Sequence, residues 1–245
     1  MKKSRENLIN LLLGPLKAGV HFGHRTSKTH PKMKPYISGV RNTVHVIDVT
    51  KTHAMLEEAL AAVRQGIAEG KALFLVGTKV QIKKLVEETA RFCNLPYVSE
   101  RWVGGTFTNF PTILKRIKYM NDLRKQEEEG ELAKYTKQEQ ARLRKSKEDL
   151  EKAFGGLRDV TQPPSMVFIC DLDQNNLTAR EARRKGIKII AVCDTNIDPT
   201  GIDYPIPAND DAVSSARYIL GKLKEAVLSA KSAAPAPSEE TQEKA

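Results

Sequence analysis

Ala72-Leu73-Phe74-Leu75-Val76 is an apolar run that leads straight into Gly77-Thr78-Lys79. No polar residue alternates along it, so it reads as a strand covered on both faces, as in a parallel sheet lying between helices. The flanks carry a different period. Upstream, Thr52 to Glu69 sets Met55, Leu56, Ala59, Leu60 and Val63 on one helical face and stops at Gly70. Downstream, Val80 to Cys93 turns Ile82, Leu85, Val86 and Ala90 inward, and Tyr97-Val98 gives a short further strand.

The same rhythm recurs on both sides. Thr43 to Val49 is β-branched and nearly continuous in apolar character, which predicts another doubly buried strand. Later, Ser165 to Cys170 and Lys188 to Val192 are strands, ending at Asp171 and at Cys193-Asp194, with a short helix over Ala179 to Lys185 between them. Tyr204-Pro205-Ile206-Pro207 is a brief edge strand, because two prolines exclude a central place in a sheet. A closing helix over Asp210 to Ala230 presents Val213, Ala216, Ile219, Leu220, Leu223 and Val227. Alternating strands and helices define an α/β, doubly wound parallel sheet in three layers.

Between the halves the pattern breaks. From Thr112 to Lys152, 21 of 41 residues are charged, twelve basic and nine acidic. Ile113, Ile117, Met120 and Leu123 make one apolar stripe; Leu143, Leu150 and Leu157 make another at heptad spacing, and Glu129-Gly130-Glu131 can reverse the chain. The reading is an inserted antiparallel coiled-coil hairpin. The expected organisation is therefore a basic N-terminal segment at 1–41 packing on the body, an α/β body at 42–110 and 156–230, a helical hairpin at 111–155, and a disordered tail at 231–245. That tail lacks large apolar residues.

The net charge is +10, and residues 1–50 hold nine Lys/Arg against two acids, so +7 of it lies there. The centre of that excess is Ala18 to Arg41, AGVHFGHRTSKTHPKMKPYISGVR, which contains no acidic residue and is broken by Gly19, Gly23, Pro31, Pro35 and Gly39. Such a segment builds no core alone and must be held by the body or by an anionic partner. A basic excess confined to one segment is the footprint of phosphate contacts. Three cysteines without close spacing imply a reduced, intracellular setting. The early apolar run Leu8 to Leu13 is too short and interrupted for a secretory leader, and a soluble, cytoplasmic protein without a membrane span is expected.

Catalysis finds little support. Gly77-Thr78-Lys79 has one glycine, neither a dinucleotide fingerprint nor a Walker loop, so a glycine fitted to a tight strand-to-helix turn explains it better. Asp171, Asp173, Asp194, Asp198, Asp203, Asp210 and Asp211 gather at strand ends. Asp210 or Asp211 suits a helix cap. Asp194 and Asp211 could also converge on a divalent ion with a histidine of the opening segment. Arg101-Trp102-Val103-Gly104-Gly105-Thr106-Phe107-Thr108-Asn109-Phe110 mixes Arg, aromatics and glycines; it either stacks on RNA bases or anchors the root of the hairpin.

Three long stretches, AGVHFGHRTSKTHPKMKPYI, RWVGGTFTNF and REARRKGIKIIAVCDTNIDPTGIDYPIPANDDA, resemble the bacterial small-subunit ribosomal protein two family. The resemblance covers roughly residues 10 to 228 and implies a non-enzymatic component of the small ribosomal subunit, with a Rossmann-like, flavodoxin-like body and a coiled-coil arm. It further implies a place where the subunit's head meets its body, contact with 16S ribosomal RNA, and docking of the mRNA-binding ribosomal protein one. No cofactor is required by it, although a metal ion is associated with relatives, which directs a structural Zn or Mg to Asp194 and Asp211. No membrane, small-molecule substrate or homo-oligomer is expected. In the opening segment, Lys17, His24, Arg25, Lys28, His30, Lys32, Lys34 and Arg41 are the expected RNA-binding residues. Arg101 and Trp102 join them from the loop, and Lys115 and Arg116 from the start of the arm. A Rossmann-type nucleotide- or sugar-binding enzyme is the alternative, and an adaptor whose arm binds only protein is a third reading.

Overall fold

Five parallel strands, β4 (Leu73–Val76), β5 (Tyr97–Val98), β6 (Met166–Ile169), β7 (Lys188–Cys193) and β8 (Tyr204–Pro207), lie in the order β5-β4-β6-β7-β8 in the computed structural model, which describes residues 12–233. Side-chain alternation on the pleat divides their apolar residues between two faces. Leu75, Phe168 and Ile190 stand in register on one face, with Val192 and Ile206. Against them pack α1 (Val49–Ala68), α2 (Lys83–Cys93) and α6 (Val213–Ala233). Phe74, Val167 and Ile189 point the other way and meet α3 (Phe110–Glu128) and α5 (Asn176–Lys185). Both faces are covered, which is why these strands read as unbroken apolar runs.

Three expectations need correction. Thr43 to Val49 does not enter the parallel sheet. Its strand β3 (Val44–Ile47) lies between β1 (Phe22–Arg25) and β2 (Ile37–Arg41) in a small antiparallel sheet, and only Ile47 of it is fully buried. The cause is local: Asn42 and Thr43 both adopt positive φ, 49° and 64°, closing a tight turn that pairs Arg41 with Val44. Lys231 to Ala233, assigned to a disordered tail, form the last residues of α6; the rest of that tail lies outside the described residues, as does the run from Met1 to Leu11. Val213 is 39% exposed and so does not belong to the inner face of the closing helix.

The charged insertion forms α3 and α4 (Lys137–Phe154), joined through a short turn at Glu131–Lys134. Ile113, Ile117, Met120 and Leu123 of α3 are buried, whereas Leu143 and Leu150 of α4 are half-buried, and Leu157 is buried in the turn beyond it. Glu127 near the end of α3 meets Arg144 and Lys147, and Asn121 earlier on α3 donates to the Arg158 carbonyl beyond α4. The two helices therefore run in opposite directions. Thr136 opens α4 with a capping box closed by Glu139. Among the described residues no helix is long and apolar enough to cross a membrane, and Cys93, Cys170 and Cys193 are buried and unpaired.

Candidate nucleic-acid interface

The opening segment is held by the body at defined points. Val20 is fully buried in the core on one face of the sheet and Met33 in the core on the other. Between them, the His24 N–H donates to Thr195 Oγ1 at 2.9 Å and the His30 N–H to the Thr195 carbonyl at 2.8 Å. Gly23 makes this approach feasible, since a Cβ there would lie 2.6 Å from Thr195 Cγ2. The two apolar plugs and the Thr195 contacts fix the backbone, and the charged side chains are left outside.

Those side chains divide into two groups. Lys17, Arg25, Lys28, Lys34 and Arg41 are exposed and form no ion pair with a described residue. Lys32 is exposed but engaged: its ammonium lies 3.0 Å from Asp198 Oδ2 and 2.6 Å from Thr200 Oγ1. His30 is half-buried, and its Nδ1 accepts from the Lys32 N–H at 3.3 Å. Hydrogen bonds from Thr200 and Lys32 hold the Asp198 carboxyl below the usual carboxylate range. His24 is half-buried and engages Asp194 and Asp211.

Strand order places a topological switch between β4 and β6, where a doubly wound sheet would take a nucleotide outside its C-terminal strand ends. Here that crevice is filled from within. The N–H groups of Thr78 and Lys79, which would cradle a phosphate, donate instead to Asp171 Oδ2 at 3.1 and 2.8 Å. Asn175 completes the carboxylate's set. The Lys79 ammonium is clamped by Asp210 at 2.7 Å and Asp211 at 2.8 Å. Burial opposes the lysine's charge, yet these hydrogen bonds outweigh it and raise its pKa. Gly77 permits the close packing of the turn, because a Cβ there would stand 2.7 Å from Val86 Cγ2 and 3.1 Å from Cys170 Cβ. An incoming phosphate would meet carboxylates where it needs donors.

Asp210 and Asp211 are thus engaged by Lys79. The N–H groups of Asp211 and Ala212, in the turn before α6, donate to Asn209 Oδ1 at 2.9 and 3.1 Å, so Asn209 closes that turn while both aspartates face Lys79. Beside them lies a second cluster. His24 Nδ1 is 3.2 Å from Asp194 Oδ2, and its Nε2 is 3.4 Å from Asp211 Oδ2. The hydrogen bond to Asp194 raises the imidazole pKa against partial desolvation. One ligand atom from each of His24, Asp194 and Asp211 lies within 4.8 Å of the others. Sequence reasoning named both aspartates and an unspecified histidine; the fold brings together His24, not His21 or His30.

Trp102 is only 7% exposed and packs edge-on to Phe107 with ring centroids 4.7 Å apart. It faces the core, not solvent. The loop around it is organised by Glu181 of α5, whose buried carboxylate accepts from the N–H groups of Gly105 at 2.7 Å, Phe107 at 2.9 Å and Thr108 at 3.3 Å. Anchoring of the α3 root accounts for Trp102, while Arg101, Lys115 and Arg116 are exposed. Glu181 escaped the sequence reading; a lone acid inside Arg180-Glu181-Ala182-Arg183-Arg184-Lys185 was the available signal.

The family model described as ribosomal protein S2 matches residues 15–230. The small ribosomal subunit protein uS2 of Nitratiruptor sp. is 43% identical over 241 residues, covering 93% of this chain and 90% of the relative. The protein of the same name from Coprothermobacter proteolyticus is 43% identical over 213 residues, covering 87% of this chain and 80% of the relative.

Proposed function

The chain belongs to the ribosomal protein S2 family, and from that footing we propose that its opening segment binds 16S ribosomal RNA where the head of the small subunit meets its body. It is a structural constituent of the small ribosomal subunit and not an enzyme. The observation that carries the finer reading is the set Lys17, Arg25, Lys28, Lys34 and Arg41, exposed and without ion-pair partners among the described residues, on a backbone pinned by Thr195. On a pinned backbone these cations meet phosphates at the cost of their side-chain freedom alone, with no segment to order first. The filled crevice at Asp171 and Lys79 disfavours the nucleotide-binding alternative.

Sedimentation with small subunits tests this. The protein is expected to co-sediment, to be released by a high-salt wash, and to rebind with a steep salt dependence that Arg25→Gln/Lys28→Gln/Lys34→Gln makes shallower. Recovery only in the free soluble fraction would sink the proposal.

In the same reading, α3 and α4 form a coiled-coil arm that braces against neighbouring ribosomal components, and the protein helps dock the mRNA-binding ribosomal protein one. The buried stripe of α3 and the Glu127 pairs with α4 support a stiff arm. Deleting the arm from Glu127 to Lys147 is expected to leave the body folded and to lower retention of ribosomal protein one on reconstituted subunits.

His24, Asp194 and Asp211 fit a structural metal ion. One imidazole nitrogen and two carboxylate oxygens suit zinc better than magnesium, which prefers an all-oxygen octahedral shell. Lys79 only partly neutralises the adjoining aspartates, so the cluster keeps a negative field for a cation. An ion there would tie the opening segment to the ends of β7 and β8.

A further inference from the structure

Thr200 is held from two sides. Its hydroxyl accepts from the Lys32 ammonium at 2.6 Å, and its carbonyl from Arg183 Nη2 at 2.9 Å. Arg183 also donates to the Gly201 carbonyl from Nη2 at 3.1 Å and from Nε at 3.3 Å, leaving Nη1 outside these bonds. Gly201, at φ +75°, lets the guanidinium lie against the backbone, since a Cβ there would be 2.5 Å from Arg183 Cζ. The opening segment and α5, far apart in sequence, therefore meet on one residue.

Helix α5 is strongly two-sided. Thr178, Ala179, Glu181 and Ala182 are buried, while Arg180, Arg183, Arg184 and Lys185 are exposed. Residues 180, 183 and 184 share one face at helical spacing. Among the described residues none of the four forms an ion pair with a carboxylate; Arg180 donates a hydrogen bond to Asn176 Oδ1 at 2.9 Å. Cations near a helix C-terminus complement its dipole, but that effect fades within a turn and leaves Arg180 unexplained. Through Glu181 the buried side of the same helix also holds the loop that follows Arg101. Helix α5 thus touches the opening segment through Thr200 and the loop after Arg101 through Glu181.

We propose that Arg180, Arg183 and Arg184, with Lys185, form a phosphate-binding face that continues the RNA interface of the opening segment across Thr200. The partner is ribosomal RNA backbone, and the inference rests on the RNA-binding reading above. Arg183 is the fixed member, aimed by the Thr200 and Gly201 carbonyls; Arg180 is tethered by one bond to Asn176, and Arg184 and Lys185 follow the backbone.

The test uses the full-length chain and small subunits washed free of the resident protein. Arg180→Gln/Arg184→Gln/Lys185→Gln spares Arg183 and is expected to lower the thermal midpoint by only a few degrees, through the lost helix-dipole complement, and to leave the protein folded at the assay temperature. Its affinity for the stripped subunits should fall about tenfold or more, with the slope of log affinity against log salt shallower by about 2 to 3 and with RNA backbone protections lost on footprinting. Unaltered affinity, slope and footprint in the triple variant would overturn the proposal. So would weaker binding with an unchanged slope and footprint, which assigns the face to a protein neighbour. If the unaltered protein itself fails to rebind, the RNA-binding reading has failed, a result distinct from either of these.

Discussion

The Lys79 ammonium stands 2.7 Å from Asp210 Oδ1, and both side chains are buried. The pair joins the turn after β4 to the segment before α6, so it closes the crevice that the strand order opens. Removing one partner strands the other charge. Lys79→Met is expected to destabilise the fold by about 3 to 5 kcal/mol, read as a drop in the urea midpoint at constant slope. Lys79→Met/Asp210→Asn should recover part of that loss; a double variant no better than the single would show that the pairing is not the cause.

Burial pushes the Asp171 carboxyl up to about 6 against the N–H bonds of Lys79 and Thr78. A carboxyl with a raised folded pKa binds more protons in the folded than in the unfolded chain between those two values. Its contribution therefore makes the protein more stable as pH falls from about 7 toward 4, worth about 3 kcal/mol in all. Unfolding curves across that window should show the rise, and Asp171→Asn should reduce it, leaving the part contributed by Asp210, which burial also pushes up to about 6. An equal pH dependence in both proteins would refute the assignment.

Glu181 satisfies three backbone N–H groups of the loop rooting α3. Glu181→Gln keeps the shape but loses the charge and one acceptor, with an expected cost of about 2 kcal/mol. Amide exchange at Gly105, Phe107 and Thr108 should quicken, while the amides of β6 and β7 stay protected.

Gly23→Ala would drive a methyl group into Thr195. The expected cost is about 1 to 3 kcal/mol, accompanied by weaker rebinding to stripped subunits, because the segment that carries Arg25 and Lys28 loses its seat. Rebinding at full strength would mean that the Thr195 contacts do not orient those cations.

Zinc supplied at a hundred times its dissociation constant should stabilise chelator-washed protein by about 2.7 kcal/mol, seen as a raised melting temperature. His24→Ala should abolish the increment and the retained metal in elemental analysis. Zinc retained equally by the variant would move the site elsewhere.

The apolar runs at Leu73–Val76, Met166–Ile169 and Lys188–Cys193, with helical periods between them, determined the parallel sheet from sequence, because a strand covered on both faces has no polar alternation to preserve and a parallel partner needs a crossover. The basic excess of the opening segment was equally local, as charge is additive along a chain. Other features required the folded chain. The run Val44–Ile47 looks like its parallel counterparts, and only the positive φ values at Asn42 and Thr43 commit it to a hairpin. Trp102 carries no mark in sequence that separates a base-stacking side chain from a core one; its packing on Phe107 decides. Lys79 with Asp210, His24 with Asp194 and Arg183 with the Thr200 carbonyl are long-range pairs, fixed by strand order and crossover, and no spacing rule along the chain encodes which acceptor a given cation will meet.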